Sequence, residues 1–210
     1  VMLKGKCRYC HTRLSLYYPI VELTTGVLFV LVFLFVNQES SMYHVLSIKY
    51  VWELSYYLFI TASLVVIFFA DLKYGIIPDK VVFPAIFVSL FFLLFTSKES
   101  WLHLVQLATF EVGFVNHLLS AVGACLFFLF LFLATKGRGM GFGDVKFAFL
   151  MGLILGFPNI IVSLYVAFLT GAIVGCILIV WRKKRIFGTI IPFGPFLVLG
   201  TFFALFWGES

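Results

Sequence analysis

With 210 residues, 63% of them hydrophobic, 28 phenylalanines and only 11% charged, the chain carries more apolar surface than a soluble core of this size can hide. A soluble fold is excluded, and long unalternating apolar runs exclude a β-barrel, which leaves an all-α, polytopic membrane bundle of about seven transmembrane helices. The formal net charge of +6 is dispersed over separate segments, a pattern that excludes a nucleic-acid surface and reads as membrane orientation.

The chain opens at Val1 rather than Met, which is consistent with a missing upstream piece. Lys4, Lys6, Arg8 and Arg13 surround Cys7 and Cys10 before any apolar run begins, and no cleavable signal pattern is present. Seven stretches are then expected to cross: Pro19–Val36, Leu54–Ala70, Val81–Phe95, Leu118–Ala134, Val145–Phe157, Ile160–Trp181 and Ile190–Trp207. Several fall short of the roughly 20 residues a bilayer asks for, so flanking residues must contribute or neighbouring helices must shelter them.

With a cytoplasmic N-terminus, the inside collects 13 of the 15 basic residues: Lys4, Lys6, Arg8, Arg13, Lys73, Lys80, Lys136, Arg138, Lys146, Arg182, Lys183, Lys184 and Arg185. Only Lys49 and Lys98 fall outside, so the positive-inside rule selects this orientation, with the C-terminus outside. Asn37–Glu53 and Thr96–His117, carrying Trp52 and Trp101, read as interfacial connectors. The Arg182–Arg185 cluster reads as a stop-transfer anchor against membrane lipid, or as a headgroup site. Gly152-x-x-x-Gly156 and Gly171-x-x-x-Gly175 permit close helix packing within the chain or between copies, leaving the oligomeric state open. Pro192 and Pro195 either kink the last span or begin it.

Under this topology Asp71 closes the second span and Asp144 opens the fifth, both on the inner side. A carboxylate at membrane depth costs about 2.5 kcal/mol or more, so each needs a reason. Two carboxylates brought together share a proton, and such a pair hydrolyses peptides when the charged member activates water and the protonated one polarises the carbonyl. Gly139, Gly141 and Gly143 fit that use, since glycine permits unusual backbone angles and close approach of a substrate strand. A plainer reading makes Gly139–Gly143 a tight turn and Asp144 a helix cap. Asp79, after Pro78, reads as the N-cap of the third span or as a further catalytic acid. Glu22, near the inner face, reads as the partner of a nearby Lys or Arg. With Lys146 these two are the remaining candidates for substrate binding or loop geometry. From Asp144 to Phe157 is 14 residues, about 21 Å of helix against a hydrocarbon core of about 30 Å, so Asp144 is expected to lie recessed in a wet cavity.

Five motifs in order resemble the bacterial type IV prepilin peptidases, membrane aspartic proteases of the GxGD class: Gly5-Lys6-Cys7-Arg8-Tyr9-Cys10, Tyr18-Pro19-Ile20-Val21-Glu22-Leu23, Asp71-Leu72 with Ile77-Pro78-Asp79, Gly139 through Lys146, and Ile191-Pro192-Phe193-Gly194-Pro195. The resemblance implies that Asp71 and Asp144 are the catalytic pair and that the substrates are prepilins or pseudopilins. Their basic leaders are cut after a glycine at the cytoplasmic side of the inner membrane. It further implies a remnant of a cytoplasmic cysteine-containing domain over residues 1–18 and a transmembrane aspartic peptidase domain over 19–210. The peptidase reaction needs no cofactor; many family members also N-methylate the new N-terminus with S-adenosylmethionine. Members with the cysteine domain usually have an earlier membrane helix and an earlier C-x-x-C pair, giving four thiolates for zinc. Here Cys7 and Cys10 supply half of such a tetrahedral site.

Cys125 and Cys176, inside spans, read as packing residues. Cys7-Arg8-Tyr9-Cys10-His11 also satisfies the haem-attachment pattern, but its basic surroundings place it on the inner side, where that chemistry is not done. A preflagellin-type or presenilin-like protease is disfavoured by the cysteine motif and by the lack of a Pro-Ala-Leu sequence. The alternative from another class is a small multi-pass transporter with the aspartates as proton or cation sites, which internal symmetry would favour and none is visible. An Asp144→Cys variant on a cysteine-free background is expected to react with a membrane-impermeant thiol reagent in inside-out vesicles. Complete protection would rule out the wet cavity.

Overall fold

A computed structural model describes residues 17–39, 48–98, 107–137, 140–182 and 192–208. Seven helices and no strands occur among the described residues: α1 (Tyr17–Glu39), α2 (Ile48–Tyr74), α3 (Asp79–Lys98), α4 (Leu107–Ala134), α5 (Phe142–Leu155), α6 (Asn159–Arg182) and α7 (Gly194–Trp207). The first four and α6 are long and apolar enough to cross a membrane. The chain is thus a multi-pass α-helical membrane protein. Its chain divides into two compact units, Val1–Val65 and Val66–Ser210, with the boundary inside α2.

In the first unit, the Tyr50 hydroxyl donates to Asn37 Oδ1 at 2.7 Å and the Phe35 and Tyr57 rings meet edge to face. These contacts join α1 to the start of α2. That start lies earlier than the sequence suggests, because Ile48–Glu53, read as connector, is helix; Lys49 and Glu53 sit one turn apart and pair across it.

In the second unit α5 packs against α3, α4, α6 and α7. Nine of its 14 residues are buried, so it needs no amphipathic stripe, and its neighbours shelter a helix too short to face lipid alone. Its length equals the 14 residues expected of the fifth span, displaced toward the N-terminus. By contrast, α6 exposes the apolar side chains Ile161, Tyr165, Leu169 and Ile173.

The far end of α5 is gripped by α4, which begins at Leu107 rather than Leu118. Polar residues that made this stretch look like connector are used inside the helix. Asn116 Nδ2 donates to Phe157 O at 2.9 Å and its Oδ1 accepts from Phe157 N–H at 3.3 Å, while His117 Nδ1 lies 2.9 Å from Leu153 O. α7 begins at Gly194 rather than Ile190, with Pro195 in its first turn, so the two prolines start this helix and do not kink it. The Arg182–Arg185 cluster falls outside the residues whose side chains are described.

Gly152 explains how closely α4 and α5 approach: a Cβ there would collide with the backbone of Ala121. The first small-residue motif therefore serves packing within the chain, whereas Gly175 of the second has open space beside it. Gly152→Ala is expected to lower stability in detergent by about 1–3 kcal/mol, because backbone rather than a side chain must give way. Gly175→Ala should stay within about 0.5 kcal/mol of wild type. Thermal unfolding of the two variants side by side checks the difference.

Candidate active site

Asp71 lies in the last turn of α2, which closes when Gly75, at φ +64, donates its N–H to Asp71 O at 2.8 Å. Glycine takes this left-handed position without a Cβ penalty. Gly75–Pro78 then forms a short turn, and the Pro78 carbonyl accepts from Val81 and Val82 to start α3. Pro78 thus occupies the capping position and Asp79 is the first helical residue, not the N-cap expected from sequence. Its carboxylate instead receives both contacts of an ion pair, with Lys146 Nζ 2.8 Å from each oxygen.

The start of α5 is built around its own glycines. Gly141, extended at φ −78 and ψ 149, is the N-cap, and Asp144 sits three residues further on. The Asp144 carboxylate reaches back to accept the Gly141 N–H at 3.1 Å. It therefore serves a free backbone amide, as the capping alternative supposed, but from the third helical position. At Gly143 a Cβ would lie 3.0 Å from Ile77 Cβ, so the missing side chain lets α5 settle on the α2–α3 turn. Lys146, one helical turn inside, ties the same two segments together through Asp79, with its ammonium 5.4 Å from the Phe83 ring centre and 5.2 Å from that of Phe142.

The start of α7 supplies the remaining wall. Gly194 N–H donates to Asp71 Oδ2 at 2.9 Å, a buried contact across 123 residues of sequence. Asp71 and Asp144 are 4% and 6% exposed. Both line one cavity of about 730 Å³, with Asp79, Gly141, Gly143, Lys146, Pro192 and Phe193 also on its surface. That volume accommodates a short extended peptide segment. Among the described residues, Oδ1 of neither aspartate accepts a hydrogen bond, so each keeps one oxygen for a ligand or water.

The sequence-derived candidates thus divide. Asp71, Asp144, Asp79, Gly141, Gly143 and Lys146 meet at the cavity, while Glu22 lies exposed on α1 in the first unit, with no ion-pair partner among the described residues. Gly139, Cys7 and Cys10 fall outside the described residues. Cys125 is half-buried on α4 and Cys176 exposed on α6. Sequence reasoning missed Ile77 as the surface beneath Gly143 and Gly194 as the donor to Asp71. The Pro192-Phe193-Gly194-Pro195 run was the only available signal for the second.

The Lys146–Asp79 pair is partly exposed, so its contribution is small. Lys146→Met and Asp79→Asn are each expected to cost under about 1 kcal/mol, and the double variant no more than either alone. A double-mutant cycle by thermal unfolding checks this; additive losses would show that the two side chains act independently.

Comparisons with known proteins fit this geometry. The model of the Type IV leader peptidase family matches residues 58–176, and that of the Bacterial Peptidase A24 N-terminal domain matches residues 1–36. The chain is 33% identical over 208 residues to the prepilin leader peptidase/N-methyltransferase of Aeromonas salmonicida, covering 99% of this chain and 64% of that relative. Proteins of the same description from Pseudomonas aeruginosa and Legionella pneumophila are 31% and 29% identical, over 99% and 100% of this chain and 64% and 66% of theirs. The chain spans under two thirds of the length of these curated relatives. No solved structure matches it.

Proposed function

The chain belongs to the type IV leader peptidase family, and from that premise we propose that it is an aspartic endopeptidase that cleaves the leaders of prepilins or pseudopilins. The observation that carries this reading is the convergence of Asp71 and Asp144, distant in sequence, on one cavity. Two buried carboxylates that repel each other hold one proton between them more readily than two charges. In the proposed reaction the ionised member takes a proton from water as the water oxygen bonds to the scissile carbonyl carbon. The other gives its proton to the carbonyl oxygen. The C–N bond then breaks as the amine nitrogen takes up the proton held by the first carboxyl, and the second recovers one from the gem-diol. The pair returns to its starting state with no covalent intermediate.

The excess of basic residues on one side of the spans supports an active site facing the cytoplasm, the side on which a basic leader would remain. The apolar helix following the leader would stay in the bilayer. The relatives' name adds an N-methyltransferase, and we extend that activity to this protein, acting on the new N-terminus with S-adenosylmethionine as the family resemblance implies, together with zinc bound partly by Cys7 and Cys10.

Purified protein in detergent is expected to shorten a recombinant type IV prepilin by its leader. Asp71→Asn and Asp144→Asn should each lower the rate by at least about 100-fold while leaving the protein monodisperse, since asparagine keeps size and polarity but not the proton cycle. Cleavage surviving in either variant would remove that aspartate from the pair. Mass spectrometry of the product, with and without S-adenosylmethionine, tests methyl transfer separately.

A further inference from the structure

Gly194 is the first residue of α7, and the first amides of a helix have no partner within it. The next residue, Pro195, has no N–H at all. The Gly194 N–H must therefore be satisfied from outside the helix, and it is: Asp71 Oδ2 accepts it at 2.9 Å in a buried position. A Cβ at residue 194 would lie 2.6 Å from that same oxygen and 3.0 Å from the carboxyl carbon. Any side chain would push the carboxylate away from the amide that holds it. The position thus requires a donor aimed at Asp71 and nothing beside it, a pair of demands only glycine meets.

We propose that Gly194 is a positioning residue for Asp71, its amide fixing Oδ2 so that Oδ1 is presented to the cavity where water and the scissile carbonyl meet. The proposal deepens, and rests on, the aspartic peptidase reading. It gives the Pro192-Phe193-Gly194-Pro195 segment a task beyond starting a helix. Pro192 and Phe193 line the cavity, and the residue after them holds one of its two acids.

Two measurements test it. The first compares steady-state cleavage of a recombinant prepilin by wild type, Gly194→Ala and Gly175→Ala. A methyl at the last position, on α6, meets open space. Displacing a reacting group by about 1 Å can lower turnover 100-fold, so Gly194→Ala should lose roughly that much kcat with KM within about twofold of wild type. Gly175→Ala should match wild type. A rise in KM with kcat unchanged would instead make residue 194 a wall for substrate and overturn the proposal, as would wild-type kinetics.

The second measurement needs no activity and no folded Gly194→Ala variant. In wild type the Gly194 amide should be protected from hydrogen exchange, and Asp71→Ala should release it by about 10-fold or more. Because Pro192 and Pro195 carry no amide, a peptide spanning them isolates few exchanging groups. An unprotected amide in wild type, or protection unchanged in Asp71→Ala, would overturn the contact. Inactive wild type with protection lost in Asp71→Ala would refute the peptidase reading while leaving Gly194 as the holder of Asp71.

Discussion

Two carboxylates withdrawn almost wholly from solvent set the terms for the rest of the second unit. An ionised group in such a place is destabilising by several kcal/mol unless hydrogen bonds replace the lost water. Each aspartate receives one backbone N–H, Asp144 from Gly141 and Asp71 from Gly194. Both donors sit at helix N-termini, where amides have no helical partner to lose. The protein therefore satisfies its acids without breaking any helix ladder, and the positive ends of α5 and α7 are brought to the two carboxyl groups. At 194 only glycine allows the close approach, whereas at 141 a Cβ would lie 3.7 Å from the Asp144 carboxylate, an ordinary contact.

Holding an acid in place also requires holding the helix that carries it. α5 has only 14 residues, and its position is fixed from both ends. At one end Gly143 rests on Ile77 and Lys146 reaches Asp79; at the other Asn116 and His117 of α4 bind the backbone at Phe157 and Leu153. Between them Gly152 lies against the α4 backbone without a side chain to separate the two. Sliding α5 along its axis would break contacts at both ends at once. The position of Asp144 is thus a consequence of packing along the whole helix rather than of its own loop alone.

How much of this could be read from the chain depends on how far apart the interacting residues lie. The seven helices were legible because lipid demands continuous apolar runs, and a run of that kind leaves a trace in every window. Boundaries failed where polar residues lie inside a helix and find partners there, as Lys49 with Glu53 and Asn116 with the Phe157 backbone. The Asp144–Gly141 contact spans three residues and was implicit in the glycine pattern. Asp79 was misread as a cap because its partner, Lys146, lies 67 residues away. Gly194 lies 123 residues from Asp71, and no local pattern could announce that pairing.

The same distinction separates the two acids physically. Asp144 and its donor share one turn, so small movements of α5 carry both together. Asp71 and its donor belong to helices connected only through tertiary packing, so their contact lasts only while α7 keeps its place. That place is set largely by α6: Gly200 of α7 lies so close that a Cβ would meet the Ser163 carbonyl, with Ala167 beside it. Loosening this seam would leave Asp144 on its amide while drawing Gly194 from Asp71. The orientation of Asp71 is therefore the more sensitive to packing remote from the cavity, and α7 is the element through which such changes would reach it.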